Sequence, residues 1–292
     1  ESTSLNRVAA KLHDYTYGIT SDPLTHFVCV FSALIHDVDH PGVSNAQLIK
    51  EHHDMALAYE NKSVAEQNSV DLAWGLLMDT SFKDLRRALF ADEADRKRFR
   101  QLLVNSVMAT DIFDPELVKV RNERWEKAFR VVGNAAVTDA SVASSDDKSI
   151  LSSGHARSMV GKTDDHDHDE EVADMRATIV IEHIIQAADV AHTMQHWHVY
   201  QKWNKRLFHE MMVAHKNGRM ETDPSVGWYK GELWFYDNYV IPLARKLSEC
   251  GVFGVSSDEF LNYATTNRRE WQQKGEGIVE EMKRDFEIEM AS

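Results

Sequence analysis

Two cysteines, Cys29 and Cys250, in a chain of 292 residues leave no material for a disulfide framework. Each sits among apolar neighbours, as small buried thiols do in a reducing compartment. Five prolines and thirteen glycines are too few to punctuate many short strands, which argues against a β-sandwich or barrel. No apolar run approaches the roughly 20 residues of a membrane helix, and the longest, Phe27 to Ile35, is too short. No signal peptide opens the chain. Positive charge is scarce as well: 33 Lys and Arg stand against 47 Asp and Glu, a net −14, the opposite of what a nucleic-acid groove needs. What is present is ordinary for a soluble globular chain, 43% apolar and 27% charged. The length suits one large domain or two small ones. The first residue is Glu1, not Met, as expected of a fragment whose upstream part is missing.

Helical punctuation recurs along the chain. Ser21-Asp22-Pro23 is an N-cap followed by Pro at the first helical position, and it predicts a helix over Leu24 to Val38 that is buried nearly all round and stopped by Pro41-Gly42. Ser63-Val64-Ala65-Glu66 is a capping-box pattern ahead of Val70 to Met78. Helical spacing returns around Phe99 to Met108, and Asp114-Pro115 starts a helix to about Phe129. The stretch 133–173 is rich in Ser, Asp, Ala and Gly, lacks aromatics and shows no period, so a disordered insertion is expected there. The acidic run Asp164 to Glu171 inside it is read as solvated rather than metal-binding. Thr178 to His215 is helical again, with Ile181, Ile184, Ile185, Ala188, Val199, Trp203, Leu207 and Met211 as core candidates. Tyr229 to Leu247 and Asp258 to Met282 are two more helices. The fold class is therefore all-α: residues 1–20 a linker, 21–285 one compact multi-helix domain interrupted by 133–173, and 286–292 a tail.

The densest chemistry lies in Ala33-Leu-Ile-His36-Asp37-Val-Asp39-His40-Pro41-Gly42. An ionised carboxylate at the end of an apolar helix costs several kcal/mol unless it is paired or bound to a cation. Imidazole nitrogen plus carboxylate oxygen suits Zn²⁺, Mn²⁺ or Fe²⁺, while carboxylate plus water suits Mg²⁺. On a continuing helix His36 and His40 share a face, with Asp37 about 100° round from His36. Helix capping plus a salt bridge is the competing reading. Asp189 is a second acid in apolar surroundings (Ile184-Ile-Gln-Ala-Ala-Asp189-Val-Ala) and offers a third ligand, although spacing alone does not bring it to His36.

Taken together, Ala33 to Asn45 (ALIHDVDHPGVSN), Ser63-Val-Ala-Glu66, Met108-Ala-Thr110-Asp111 and Ala187-Ala-Asp189 resemble, in order, the class I 3′,5′-cyclic-nucleotide phosphodiesterases. The resemblance runs from about Asp22 to Phe129 and from about Met175 to Arg284. It implies an all-α, HD-type catalytic domain with two divalent ions, Zn²⁺ and Mg²⁺ (or Mn²⁺), at the bottom of a pocket. It implies that His36, Asp37 and Asp189 are metal ligands, with Asp37 bridging both ions. It further implies that His40, Glu66 and Thr110 hold the water shell of the second ion. Capping remains an alternative for Glu66, and an ordinary hydroxyl for Thr110.

This sequence departs from the family at three places. The HNxxHAxxV string, whose histidines supply the general acid and a further metal ligand, is absent. His13 and His26 are the only histidines before His36 and lack its flanking residues, so the general acid is expected upstream of Glu1 and the fragment is expected to be impaired. The purine-gripping Gln of the family aligns with Glu232, beside Phe235 at the position that stacks on the base. Gln donates and accepts, whereas ionised Glu only accepts, which favours bases that present N–H donors. The Asn expected three residues after Asp189 is His192. The resemblance thus implies a parent protein that hydrolyses cAMP or cGMP to 5′-monophosphates in signalling. It would act inside the cell at the cytoplasmic face, with a sensor, cyclase or membrane domain attached. The alternatives are an HD-type phosphohydrolase of another nucleotide and a degenerate nucleotide-binding regulatory domain.

Overall fold

A computed structural model describes residues 2–130 and 164–291, and among these there is helix and no strand. In chain order the helices are α1 (Ser2–Tyr15), α2 (Pro23–Ile35), α3 (Asn45–Glu51), α4 (His53–Ala58), α5 (Val64–Met78), α6 (Lys83–Leu89) and α7 (Glu93–Met108). They continue as α8 (Pro115–Trp125), α9 (Asp164–Asp189), α10 (Trp197–Lys216), α11 (Trp228–Phe235), α12 (Ile241–Glu249) and α13 (Glu259–Ala291). The all-α class is as the sequence predicts.

Two compact units form, one from Glu1–Ser21 with Pro115–Ile179 and one from Asp22–Asp114 with Val180–Ser292, in place of the single expected domain over 21–285. In the smaller unit Trp125 stacks on Phe129 with ring centroids 4.3 Å apart. Tyr17 meets Phe129 edge-on, and the Arg176 guanidinium lies over both rings. The expected linker over 1–20 is mostly helix, because Ser2–Tyr15 holds neither Pro nor Gly to interrupt it. Of the expected insertion 133–173, the described part from Asp164 onward is helical. Residues 133–163, and the side chains of the acidic run Asp164 to Glu171, lie outside the described residues. The expected tail 286–292 is also wrong as far as Ala291. Phe286 extends the buried line of Trp271, Val279 and Met282, so α13 continues through it.

In the larger unit, the Asp22 side chain accepts from the Leu24 N–H ahead of Pro23, and Arg98 ties the same carboxylate to α7. This helix start is as predicted. The end differs: α2 stops at Ile35, three residues short of Val38, and the chain turns through i→i+3 bonds (Val38 N–H to Ile35 O, His40 N–H to Asp37 O). Nor is α2 buried all round, since Val30 and Leu34 are exposed. Val28 and Ile35 pack instead with Val70, Leu77, Phe99 and Leu103 of α5 and α7. A second core gathers Tyr200, Phe208, Tyr236 and Trp271. On α10 the buried face is Tyr200, Asn204 and Phe208, four residues apart. Trp203 and Leu207, expected in the core, flank that face and are exposed, as is Ala188 on α9.

Candidate metal centre

His36 is the C-cap of α2, and its backbone N–H bonds Ser32 O. Its ring Nδ1 faces Ala33 O at 3.0 Å, a contact that requires the proton on Nδ1. Nε2 is then turned toward Asp37 Oδ2 and Asp189 Oδ1, each 3.4 Å away. A histidine held through one nitrogen and aimed through the other is the arrangement a metal ligand needs. In the cation-free chain the two carboxylates favour imidazolium. The His36 pKa is pushed up to about 9 by the Asp189 hydrogen bond and by the charges of Asp37 and Asp189, against the opposing effect of burial.

Asp189 closes α9, and its approach is fixed on both sides. Buried Gln186 donates to Ala109 O at 2.8 Å, tying α9 to the residues that follow α7. Buried Asn267 of α13 donates to Thr193 O and Gln195 O and so braces the turn after Asp189. One ligand atom each from His36, Asp37 and Asp189 lies within 4.8 Å of the other two. A nitrogen and two carboxylate oxygens this close fit a divalent first-row cation. Packing rather than spacing makes the meeting, which is why the sequence left it open.

The predicted water-shell residues sort differently. Asp39 adopts a left-handed backbone (φ 63°), so His40 leaves the line of α2 and the shared helical face expected for His36 and His40 does not exist. His40 Nδ1 accepts the Gly42 N–H at 3.2 Å. Thr110 spends its hydroxyl on Val107 O at 2.7 Å. The capping box at Ser63 is absent: Ser63 is left-handed (φ 40°) and its hydroxyl donates to Asp111 Oδ2 at 2.7 Å. The start of α5 is capped by a remote residue, with Ala65 N–H donating to Asn45 Oδ1 at 2.9 Å. Glu66 accepts from Asn45 Nδ2 at 2.9 Å, and its pKa is raised, chiefly by burial, with the Asp111 charge adding and Asn45 and His40 opposing. Asn45, the last residue of the ALIHDVDHPGVSN string, is thus a site neighbour that reading motif by motif missed.

The pocket candidates form a second, connected group. His192 lies beside Asp189, whose charge partly offsets the lowering of its pKa by burial. Its ring is parallel to that of Tyr200, with centroids 6.4 Å apart. The Tyr200 hydroxyl donates to Glu232 Oε2 at 2.6 Å. Behind it, Trp228 Nε1–H donates to Asn204 Oδ1 at 3.2 Å and Asn204 Nδ2–H to the Tyr200 oxygen at 3.3 Å. Burial lifts the half-buried Glu232 carboxyl to about 7, with Tyr200 and Asn204 pulling it back. Phe235 stacks on Tyr239 at 5.3 Å and packs against the aromatic core. His192 and Tyr200 therefore link the acid cluster to Glu232 by successive contacts. His13, one of the two histidines before His36, belongs to the smaller unit and bonds Ser21 Oγ there.

Residues 8–252 match the family model described as 3′5′-cyclic nucleotide phosphodiesterase. A Caenorhabditis elegans protein named "Probable 3′,5′-cyclic-AMP phosphodiesterase pde-4" is 24% identical over 252 residues, 84% of this chain and 32% of that protein. The human "Dual specificity calcium/calmodulin-dependent 3′,5′-cyclic nucleotide phosphodiesterase 1C" is 37% identical over 86 residues, 30% of this chain and 12% of that protein. The chain spans about a third or less of the length of these curated relatives. Among solved structures, the phosphodiesterase domain of Salpingoeca rosetta rhodopsin phosphodiesterase superposes with a TM-score of 0.60 at 20% identity, covering 94% of this chain and 75% of that one. At that identity the likeness speaks for the fold. The match across residues 8–252 carries the further conclusion that this chain belongs to the 3′,5′-cyclic nucleotide phosphodiesterase family.

Proposed function

We propose that the protein containing this chain hydrolyses 3′,5′-cyclic nucleotides to 5′-monophosphates at a cation centre built on His36, Asp37 and Asp189. The observation that carries the reading is the convergence of one imidazole nitrogen and two carboxylate oxygens from residues far apart in the sequence. Family membership supplies the substrate class. When bound there, Zn²⁺ with Mg²⁺ or Mn²⁺ would supply Lewis acidity toward the phosphoryl oxygens and a nucleophile at neutral pH. His36 would bind through Nε2, its ring steadied by Ala33 O, and Asp189 would bind through the oxygen that faces it. Asp37, the more exposed carboxylate, would supply a further oxygen ligand. His40, Glu66 and Thr110 take the second ion's water shell in this reading. The acid cluster also gives an anionic substrate a local route onto a chain of net charge −14, because it gathers cations.

Base recognition is assigned to Glu232, Phe235 and His192. The donor chain from Trp228 through Asn204 to Tyr200 runs one way, since indole only donates. Tyr200 must then donate to residue 232, and an ionised Glu232 offers the ligand only acceptor oxygens. A base edge with adjacent N–H donors, such as the N1–H and N2–H of guanine, matches that better than adenine's mixed donor and acceptor edge. An attached sensor in the parent protein is part of the same reading, suggested by the rhodopsin phosphodiesterase whose domain shares this fold. ³¹P NMR of the full-length protein with cGMP, cAMP and nucleoside triphosphates, each with and without Mn²⁺, tests it. Cation-dependent loss of the cyclic phosphate signal is expected, with cGMP ahead of cAMP. Preferential loss of triphosphate, or nucleotide binding with no hydrolysis, would reject the assignment.

A further inference from the structure

We infer that Asn45 is a positioning residue for the cation centre: its side-chain amide aims the Glu66 carboxylate while capping the helix that carries it. The inference rests on the reading of Glu66 as a partner of the second ion's water shell. Asn45 opens α3, at the end of the loop that follows His36 and Asp37. Its amide has one workable orientation. Oδ1 accepts from Ala65 N–H at 2.9 Å, so Nδ2 must face Glu66 Oε2 at 2.9 Å and, at the outer limit of 3.5 Å, Asp111 Oδ2. The flipped amide would set N–H against N–H and a carbonyl against two carboxylates.

The two carboxylates that Asn45 separates have different work. Asp111 is buried and both its oxygens are engaged within the fold: Oδ2 by Ser63 at 2.7 Å, and Oδ1 by the N–H groups of Phe113 and Asp114, each at 3.1 Å. It is a structural acid closing a turn. Glu66 takes one side-chain donor, Asn45, and lies within the electrostatic reach of His40. Without the Asn45 amide, Glu66 would lose its side-chain donor beside the charge of Asp111, and a long side chain would be left to choose its own rotamer. A single residue of the ligand-bearing loop therefore fixes both the first turn of α5 and the direction of the acid on it. Outer partners that orient the groups around a metal are typically worth about 10–100-fold in metal affinity.

Asn45→Asp separates the two roles, because it keeps an acceptor for Ala65 N–H and loses the donor to Glu66. Asn45→Ser, small and uncharged, replaces it if three adjoining carboxylates prevent folding. The experiment is calorimetric titration of Mn²⁺ into chelator-stripped full-length protein, with circular dichroism to verify the fold. Wild type is compared with Asn45→Asp (or Ser), Glu66→Gln, the double variant and Ser63→Ala. The weaker Mn²⁺ equivalent should lose about 10–100-fold in affinity in either single variant, with little further loss in the double. The tighter equivalent should be unchanged, and Ser63→Ala should bind as wild type although less stable. Wild-type Mn²⁺ binding by folded Asn45→Asp (or Ser) alongside weakened Glu66→Gln overturns the inference. Equally, losses that add fully in the double variant overturn it. Wild-type binding by Glu66→Gln would instead remove the underlying role of Glu66, and the inference with it.

Discussion

Replacing Glu232 with Gln keeps the size of the side chain and its acceptor for Tyr200, and removes its charge. Burial holds this carboxyl at about 7 in the folded chain, against 4.5 ordinarily. The folded state therefore keeps a proton over a range where the unfolded chain has already lost it. Stability contributed by Glu232 is thus fully present below about pH 4.5, falls as pH rises toward 7, and is flat above. One pKa unit is worth about 1.4 kcal/mol, so the wild type should lose roughly 2 kcal/mol between pH 5 and pH 8 through this residue alone. The Gln variant has no such term. Urea unfolding of both proteins at pH 5 and pH 8, followed by fluorescence of the core tryptophans Trp228 and Trp271, measures it. The variant should gain on the wild type by roughly that amount at the higher pH. Parallel pH profiles would show that burial does not raise the Glu232 carboxyl and that the donors from Tyr200 and Asn204 outweigh it. The same variant should also narrow the proposed preference for cGMP over cAMP, since the Gln amide gives the ligand a donor. An unchanged ratio would remove Glu232 from base selection.

Gly42→Ala should destabilise the loop after His40 by about 1–2 kcal/mol, because the backbone there is left-handed (φ 71°) and the new methyl would sit 2.8 Å from Glu210 Oε1. Urea midpoints check this. Arg219 grips Glu51 through two nitrogens and also donates to Pro41 O, tying the same loop to the end of α3. Arg219→Ala should lower Tm, and Arg219→Lys should rescue little, since an ammonium does not reproduce the fork. A Tm equal to wild type in Arg219→Ala would count against the clamp. In cation-free protein, Asp189→Asn should move the His36 pKa down from about 9 toward 6.5, because the charge and hydrogen bond that raise it are gone. An NMR titration of the ring that stays near 9 would mean Asp189 does not approach His36.

Local signals carried the fold a long way. Asp22 and Pro23 set the start of α2, and Asp114 with Pro115 that of α8, because caps and the fixed φ of proline act within a few residues. Boundaries set by tertiary contacts were not legible. Ser63 and Glu66 match a capping box, yet Asp111 draws the hydroxyl away and Asn45, eighteen or more residues upstream, supplies the cap. The early end of α2 is a switch to i→i+3 bonds after Ile35 that no local residue signals, and Trp203 and Leu207 lie at the edge of the buried face of α10, where apolarity alone does not set depth. At the site, the residue types of His36, Asp37 and Asp189 were readable, but their convergence was not. It depends on Gln186 reaching Ala109 and on Asn267 bracing the turn past Asp189, bonds between positions more than seventy residues apart. The Trp228–Asn204–Tyr200–Glu232 chain was invisible for the same reason.

The most direct measurement is anomalous diffraction from crystals of the protein soaked in Zn²⁺ or Mn²⁺. A peak bonded to His36 Nε2 and to carboxylate oxygens of Asp37 and Asp189, and missing from Asp189→Ala crystals, is what the cation centre predicts. A soaked crystal with no peak between those three side chains, or with one that persists in Asp189→Ala, would contradict it.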